Sequence, residues 1–324
     1  MTRDPISDPI GSAPTLASMP SDEKILITGL TGQIGHPIAR HLARDNEVWG
    51  VARFSAEGSR DRAEAIGVRT HIADLASGDL DGLPDDFTHL IHFAVWQGKA
   101  DDHDRAIRAN AEATGLLMAH CRRARAALIA STNSVYRANE DPLHQYVETD
   151  PLGDPTAPHS PTYGVSKVSQ EAVARTMARV LDLPTTIARI NASYGPNGGL
   201  PAYHGDWVAA GQTVWLRNPG PNAYSPIHEN DMAAQVPALL DAASAPATIV
   251  NWCGDEVVTA EEWTAAFGTH LGVDPEIAWY DLPGGQPGSA GDPTKRLSLT
   301  GPCTVDWRDG MIATLEARIG STDG

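Results

Sequence analysis

The stretch Lys24–Gly35 constrains this chain most. Lys24-Ile-Leu-Ile-Thr28 is a short apolar run that breaks into Thr28-Gly-Leu-Thr-Gly-Gln-Ile-Gly35, with glycines at 29, 32 and 35. A continuous apolar run of this length reads as a buried parallel strand. The helical pattern from Gly35 to about Arg44 makes the glycines a strand-to-helix turn. There Gly29 permits the tight turn, Gly32 lets the backbone approach a pyrophosphate, and Gly35 lets helix pack on strand. The N–H groups and dipole of the helix start then hold phosphates. Glycines also make ordinary turns. The strand-to-helix context is what yields a dinucleotide-binding expectation, with Thr31, Gln33 and Ile34 in the same loop.

Further strands are expected at Glu47–Arg53, Gly67–Ile72, His89–Val95, Ala126–Ala130, Pro184–Ile190 and Ala247–Trp252. Helices are expected at Asp102–Arg123, Pro161–Leu181, Asn230–Ala242 and Thr259–Leu271. The last opens on a Thr259…Glu262 capping box. Strand alternating with helix predicts an α/β fold, a Rossmann-type doubly wound parallel sheet with helices on both faces. Residues 191–228 have little periodicity, and Pro283–Asp292 reads as a Gly/Pro loop. The expected organisation is a disordered leader over 1–22 and a dinucleotide-binding domain over 23–190, to which 228–252 return. A smaller, discontinuous C-terminal substrate-binding cap takes 191–227 and 253–320, with the site between the two.

Composition removes several function classes. The 324 residues suit two domains or one elaborated α/β domain. Lys+Arg total 24 against 41 Asp+Glu, a formal charge of −17. Such a chain repels nucleic acid and anionic membrane surfaces, so neither is an expected partner. No apolar run reaches the roughly 20 residues that span a bilayer. Cys121, Cys253 and Cys303 form no metal signature and cannot all pair, so a reducing, cytoplasmic setting is expected. The Asp101-Asp102-His103-Asp104 run fits a helix start better than a metal site, and no metal is expected.

The end of the second strand reports on the cofactor. A carboxylate there suits the 2′-hydroxyl of NAD, and a cation suits the 2′-phosphate of NADP. This strand ends Val51-Ala52-Arg53, with Arg60 and Arg62 close by. Arg53 can stack on adenine and pair with a 2′-phosphate, so NADP(H) is favoured, with NAD(H) the alternative. The plainer role for Arg53 is to cover the sheet edge. Asp74-Leu75, after the third strand, is placed to meet the adenine edge or simply to make a turn.

Tyr163 and Lys167 stand four apart on one face of a predicted helix. A tyrosine hydroxyl ordinarily titrates near ~10, and bringing it near neutrality needs roughly 4 kcal/mol of favourable field. A neighbouring ammonium and an oxidised nicotinamide can supply that field. A surface Tyr–Lys pair is the plainer reading. It loses ground to Ser131-Thr132-Asn133-Ser134-Val135-Tyr136, whose hydroxyls fall at a strand's C-terminal end, where sites form in such sheets.

Together these residues resemble the extended short-chain dehydrogenase/reductases of the NAD-dependent epimerase/dehydratase type over about residues 24–320. The resemblance rests on Thr28-Gly29-x-x-Gly32-x-x-Gly35, Asp74-Leu75, His92-Phe93-Ala94, Asn110, Ser131-Thr132-x-x-Val135-Tyr136, Tyr163-x-x-x-Lys167, Tyr194-Gly195-Pro196 and the helix start at His228–Met232. It implies a catalytic triad of Thr132, Tyr163 and Lys167, with Asn110 supporting its geometry. It further implies that Phe93, Ala94 and Val95, with Ile190, Asn191 and Ser193, line the nicotinamide and its ribose. The long helices at 102–123 and 161–181 resemble those of a family homodimer.

Departures from the family pattern bear on the reaction. Dehydratases of this type carry an Asp-Glu pair after the catalytic Thr; here Asn133 and Ser134 stand there, and neither titrates usefully. Sugar-nucleotide epimerases usually hold the substrate pyrophosphate with an Arg where this chain has Tyr224. From Asn191 to Pro226 the cap has one cation, Arg217, with Arg296 in reserve. A diphosphate needs more. The cap offers aromatics instead: Tyr203, His204, Trp207, Trp215 and Tyr224, with Trp96 after the fourth strand. The expected activity is therefore NADP(H)-dependent interconversion of a carbonyl and a hydroxyl on an uncharged, partly apolar small molecule. Asn133, Ser134, Trp96, Tyr203, His204, Trp207 and Tyr224 are its candidate substrate contacts. The alternatives are a sugar-nucleotide epimerase with tightly bound NAD(P), and a non-catalytic NADP sensor.

Overall fold

The computed structural model describes residues 21–98, 102–153, 161–286 and 288–320. The leader expected over 1–22 lies almost wholly outside them, as does Asp101. The first half of the chain alternates β1 (Lys24–Thr28), α1 (Gly35–Leu42), β2 (Glu47–Ala52), α2 (Ser59–Ala65), β3 (Arg69–Ile72), β4 (His89–His92), α3 (His103–Ile107), α4 (Ala113–His120) and β5 (Ala126–Thr132). Next come α5 (Tyr163–Val180), β6 (Thr185–Ile190), β7 (Ser193–Tyr194), α6 (Leu200–Ala209), β8 (Val214–Asn218), β9 (Ala223–Tyr224) and β10 (Ile227–His228). The chain ends with α7 (Glu229–Asp241), β11 (Thr248–Trp252), β12 (Val258–Thr259), α8 (Ala260–Leu271), β13 (Ile277–Asp281), α9 (Thr294–Thr300) and α10 (Trp307–Gly320).

Seven parallel strands form the central sheet in the order β11-β6-β5-β4-β1-β2-β3. Successive side chains of a strand face opposite sides, so one apolar strand feeds two cores. Ile25 and Ile27 pack with Ile38 and Leu42 of α1 and Val236 and Leu239 of α7. Leu26 packs with Leu117 and Met118 of α4 and Ala174 and Ala178 of α5. The strand order reverses between β1 and β4, and ligands bind such sheets at that crevice.

A separate cluster holds the cap: Val208 of α6, Val214 and Leu216 of β8, Trp263 and Phe267 of α8, and Met311 and Leu315 of α10. Residues 191–228, expected to be largely irregular, contain α6 and four short strands. Their apolar side chains pack from several short pieces, so no single period marks them. The Thr259–Glu262 capping box forms, with Glu262 N donating to Thr259 Oγ1 at 3.1 Å and Thr259 N to Glu262 Oε2 at 2.8 Å.

Three expected boundaries change for physical reasons. The fourth strand stops at His92, not Val95, because the chain turns over Gly29 and Ala94 N donates to Thr28 Oγ1 at 3.1 Å. The second strand stops at Ala52, leaving Arg53 exposed just past its end. The helix expected over 102–123 is interrupted by a π-helical turn at Arg108–Glu112. Such turns are often found at functional sites, and Asn110 lies in this one.

Candidate active site

Gly29 has φ +71°, and a Cβ there would lie 2.6 Å from Ala94 N and Phe93 C. A Cβ at Gly35 would strike the carbonyl oxygen of Gly29. The loop therefore closes only with glycine at both positions. A Cβ at Gly32 would stand 3.3 Å from Gly29 O, in the exposed floor of the loop.

A cavity of about 360 Å³ runs from Gly29, Thr31 and Gly32 past Arg53 and Asp74-Leu75 to Phe93, Ala94 and Val95. A second of about 130 Å³ adjoins it at Thr31, Gly32 and Gln33 and is lined also by His36, Ser59 and Arg62. The glycine cradle, open helix start and adjoining cavities fit a dinucleotide. Arg53, Arg62 and Arg105 line the larger cavity against one carboxylate, Asp74. Asp74 itself caps the short turn Leu75–Ser77 by accepting from Ala76 N at 3.1 Å. Trp96, an expected substrate contact, lines this same cavity, with the Arg105 guanidinium 5.3 Å from its ring centre. Arg105 was not legible as a site residue. Ile34 and Ser193 border a small neighbouring pocket, where Gln33 Nε2 donates to Ser193 Oγ at 2.8 Å.

Thr132 ends β5 and Tyr163 begins α5, which brings the Thr132 side chain close enough to act on the Tyr163 hydroxyl. Burial raises the Tyr163 pKa, while Thr132 and Gln97 oppose that rise. Tyr163 thus rests protonated. Lys167 is buried one turn further on, where its Nζ donates to Ala130 O at 2.7 Å. Burial brings its pKa down to about 7, against the pull of Glu171. Glu171 is held in turn by Arg189 and Ser131.

This burial has a stability consequence. An unfolded lysine keeps its proton to about pH 10.4, and Lys167 in the fold releases it near 7. Between those values the unfolded chain binds more protons, so the group's destabilising effect fades as pH rises. In cofactor-free protein the melting temperature of wild type minus that of Lys167→Met should rise from pH 6.5 to 9.5. A difference flat in pH would show that Lys167 is not desolvated in this way.

Asn110 braces the site without touching Tyr163 Oη. Its Oδ1 accepts from Trp96 N at 2.7 Å, and its Nδ2 donates to Trp96 O at 3.0 Å and to Ser166 Oγ at 2.9 Å. It ties the loop after β4 to the first turn of α5. A buried polar chain behind it joins the strand ends. Thr114 Oγ1 donates to Asn110 O at 2.6 Å, so it accepts from His92 Nε2 at 2.8 Å, and His92 Nδ1 accepts from Thr28 Oγ1 at 2.6 Å. This order requires the neutral ring with its proton on Nε2. Burial and the Lys167 charge agree, lowering the His92 pKa to about 3.

The expected substrate contacts divide. Asn133, next to Thr132, and Asn191, an expected cofactor contact, both donate through Nδ2 to Ser289 O, at 3.1 and 2.5 Å. Asn133 Oδ1 is buried without a partner among the described residues. Ser134 follows Asn133 in a short 3₁₀ turn, and Ile190 ends β6. His204 is buried in the cap core, accepting from Trp263 Nε1 at 3.0 Å and stacked on Trp207. Burial lowers its pKa to about 4. Tyr203 is exposed, beneath the Arg318 guanidinium. His204, Trp207 and Tyr203 therefore do not converge with Asn133, because α6 turns its aromatic side chains into the cap core or outward to solvent. Arg296 is fully buried and bonded to Asp255 and Gly301 O, so it is not free to hold a substrate phosphate.

A glycine cradle at the switch point of a parallel sheet, with Thr132 at the end of β5 and Tyr163 and Lys167 on the first turns of α5 beside it, defines a short-chain dehydrogenase/reductase. The profile of the NAD dependent epimerase/dehydratase family matches residues 25–252, and the chain belongs to that family of enzymes. A dTDP-4-dehydrorhamnose reductase from Burkholderia thailandensis is 32% identical over 165 residues, which span 50% of this chain and 49% of the relative. The match thus covers about half the length of that relative. Solved structures are similar throughout. The UDP-glucuronic acid 4-epimerase from Bacillus cereus, in complex with UDP-glucuronic acid and NAD, superposes with a TM-score of 0.79 at 20% identity, covering 92% of this chain and 99% of that one. The dTDP-glucose 4,6-dehydratase from Streptomyces venezuelae, with NAD bound, gives 0.77 at 22% identity over 93% and 98%. Among the described residues no helix is long and apolar enough to cross a membrane.

Proposed function

We propose that this protein is an NADP(H)-dependent oxidoreductase that interconverts a carbonyl and a hydroxyl on a small, partly apolar molecule without a diphosphate. The observation that supports this most is the placement of Thr132 at the end of β5 and Tyr163 at the start of α5 beside buried Lys167, with no titratable side chain at 133 or 134. Bound NADP(H) supplies the hydride. Tyr163, protonated at rest, donates to the nascent alkoxide. Thr132 orients that oxygen by a second hydrogen bond. The Lys167 ammonium stabilises the tyrosinate left behind. Asn110 keeps the loop after β4 at a fixed distance from α5. A homodimer through α4 and α5 belongs to the same proposal.

The NADP preference rests on three arginines and one carboxylate around the larger cavity. Arg53→Ala should weaken NADP binding about 10-fold and leave NAD within about two-fold, measured by titration calorimetry. Equal losses for both would mean that Arg53 does not read the 2′-phosphate.

A sugar-nucleotide epimerase is the second reading, favoured by the solved relatives crystallised with such ligands. Buried, paired Arg296 and the single cation at 191–226 speak against it. Ketone- or aldehyde-dependent oxidation of NADPH supports the first reading. Copurifying NAD(H) with saturable binding of a nucleotide-diphosphate sugar supports the second.

A further inference from the structure

We propose that Arg217 anchors a single anionic group, a carboxylate or a phosphate monoester, on the substrate. This rests on the oxidoreductase reading and replaces the uncharged substrate expected from the sequence with carbonyl or hydroxyl compounds bearing one acid.

Arg217 lies on β8, with its backbone fixed on both sides by Asn222: Arg217 N donates to Asn222 Oδ1 at 2.8 Å and Asn222 Nδ2 to Arg217 O at 2.7 Å. Its guanidinium donates to two neutral acceptors, Gln286 O at 2.5 Å and Tyr224 Oη at 2.7 Å. Among the described residues no carboxylate lies within 4.0 Å of it. Among the described residues, the other arginines with buried or part-buried heads each have an acid: Arg189 has Glu171, Arg296 has Asp255 and Arg318 has Asp206. A largely desolvated guanidinium without a counter-charge is costly, and its five donors exceed two neutral acceptors. An anion satisfies both demands.

The position suits a substrate. Gln286 and Ser289 belong to one loop, and Ser289 O accepts from Asn133, the neighbour of Thr132. Three residues of chain span at most ~11 Å, which keeps the guanidinium within roughly 16 Å of Asn133 by this route. Alternation along β8 puts Trp215, 56% exposed, on the same side as Arg217. In the β8–β13 register Tyr280 stands beside Arg217. This face therefore combines one cation with flat aromatic surface. The dinucleotide cavities lie elsewhere, and Arg217 lines neither.

The test uses two matched pairs, 4-formylbenzoate with its methyl ester and 4-oxopentanoate with its methyl ester. Wild type should favour each acid by about 10–100-fold in kcat/KM. Arg217→Gln should abolish that preference, mainly through KM of the acid. Arg217→Lys should retain part of it. A purely structural role would lower acid and ester alike and leave the ratio unchanged, which overturns the proposal. Binding of 4-formylbenzoate to protein saturated with NADP⁺, measured by calorimetry, gives an independent arm. Arg217-dependent binding without turnover of any pair supports the anion site and defeats the oxidoreductase reading. Turnover with esters equal to acids defeats the anion site and leaves that reading intact. Acid binding of equal strength in wild type and Arg217→Gln also overturns it.

Discussion

Tyr163→Phe should lower kcat by about 10²–10⁴-fold while cofactor affinity stays near the wild-type value. The substitution removes one hydroxyl from a ring that α5 already holds, and the influence of Thr132 and Gln97 on that hydroxyl is what is lost. The loss should fall on the chemical step, since no residue lining the two cavities at the glycine loop changes. Lys167 gives this a pH signature. Its ammonium stabilises tyrosinate only while charged, and burial brings its own pKa to about 7. In cofactor-free protein the charge is full below that value and fades above it. A nearby tyrosinate favours the charged lysine, so the two groups titrate as a pair. The pH limb of wild-type kcat/KM should be absent in Tyr163→Phe. Undiminished turnover by the variant would sink Tyr163 as the proton donor.

The parts of the site that were legible are those written in local spacing. The glycine loop and Tyr163-x-x-x-Lys167 each sit within one turn or one helix, so strand-to-helix context and helical period suffice. Boundaries set by distant contacts were not legible. His92 ends β4 because the next residues fold over Gly29, 63 positions earlier in the chain. The π turn answers to Asn110 gripping the Trp96 backbone and Ser166, two elements that no periodicity joins. Aromatic content in the cap was legible, but direction was not: His204 and Trp207 turn into the cap core while Trp215 faces outward. Glu171, four positions after Lys167, had no role in the sequence reading, because its partner Arg189 is on β6 and only the fold brings them together.

That pair carries the largest expected stability effect. Glu171 and Arg189 are each about 2% exposed and meet in a fork, Nε to Oε1 at 2.9 Å and Nη2 to Oε2 at 2.8 Å. Ser131 Oγ also donates to Oε1 at 2.5 Å, Arg189 Nη1 donates to Glu148 O at 3.0 Å, and the guanidinium stacks 4.7 Å from the Tyr136 ring centre. Every charge-bearing face is therefore satisfied inside protein. Replacing a buried pair by apolar residues is often close to neutral, but removing one partner strands the other charge. Glu171→Gln should thus destabilise by about 3–5 kcal/mol, a fall of roughly 10 °C in melting temperature for a chain of this size. Glu171→Leu with Arg189→Met should recover part of that loss. A kinetic effect accompanies it. Glu171 raises the Lys167 pKa against burial, so without its charge the lysine gives up its proton at lower pH. The limb of the rate profile that needs the ammonium should shift to lower pH in Glu171→Gln. A loss below about 1 kcal/mol would mean that Arg189 finds another counter-charge or water in the variant. An unshifted limb with full destabilisation would confine Glu171 to holding the sheet and α5 together.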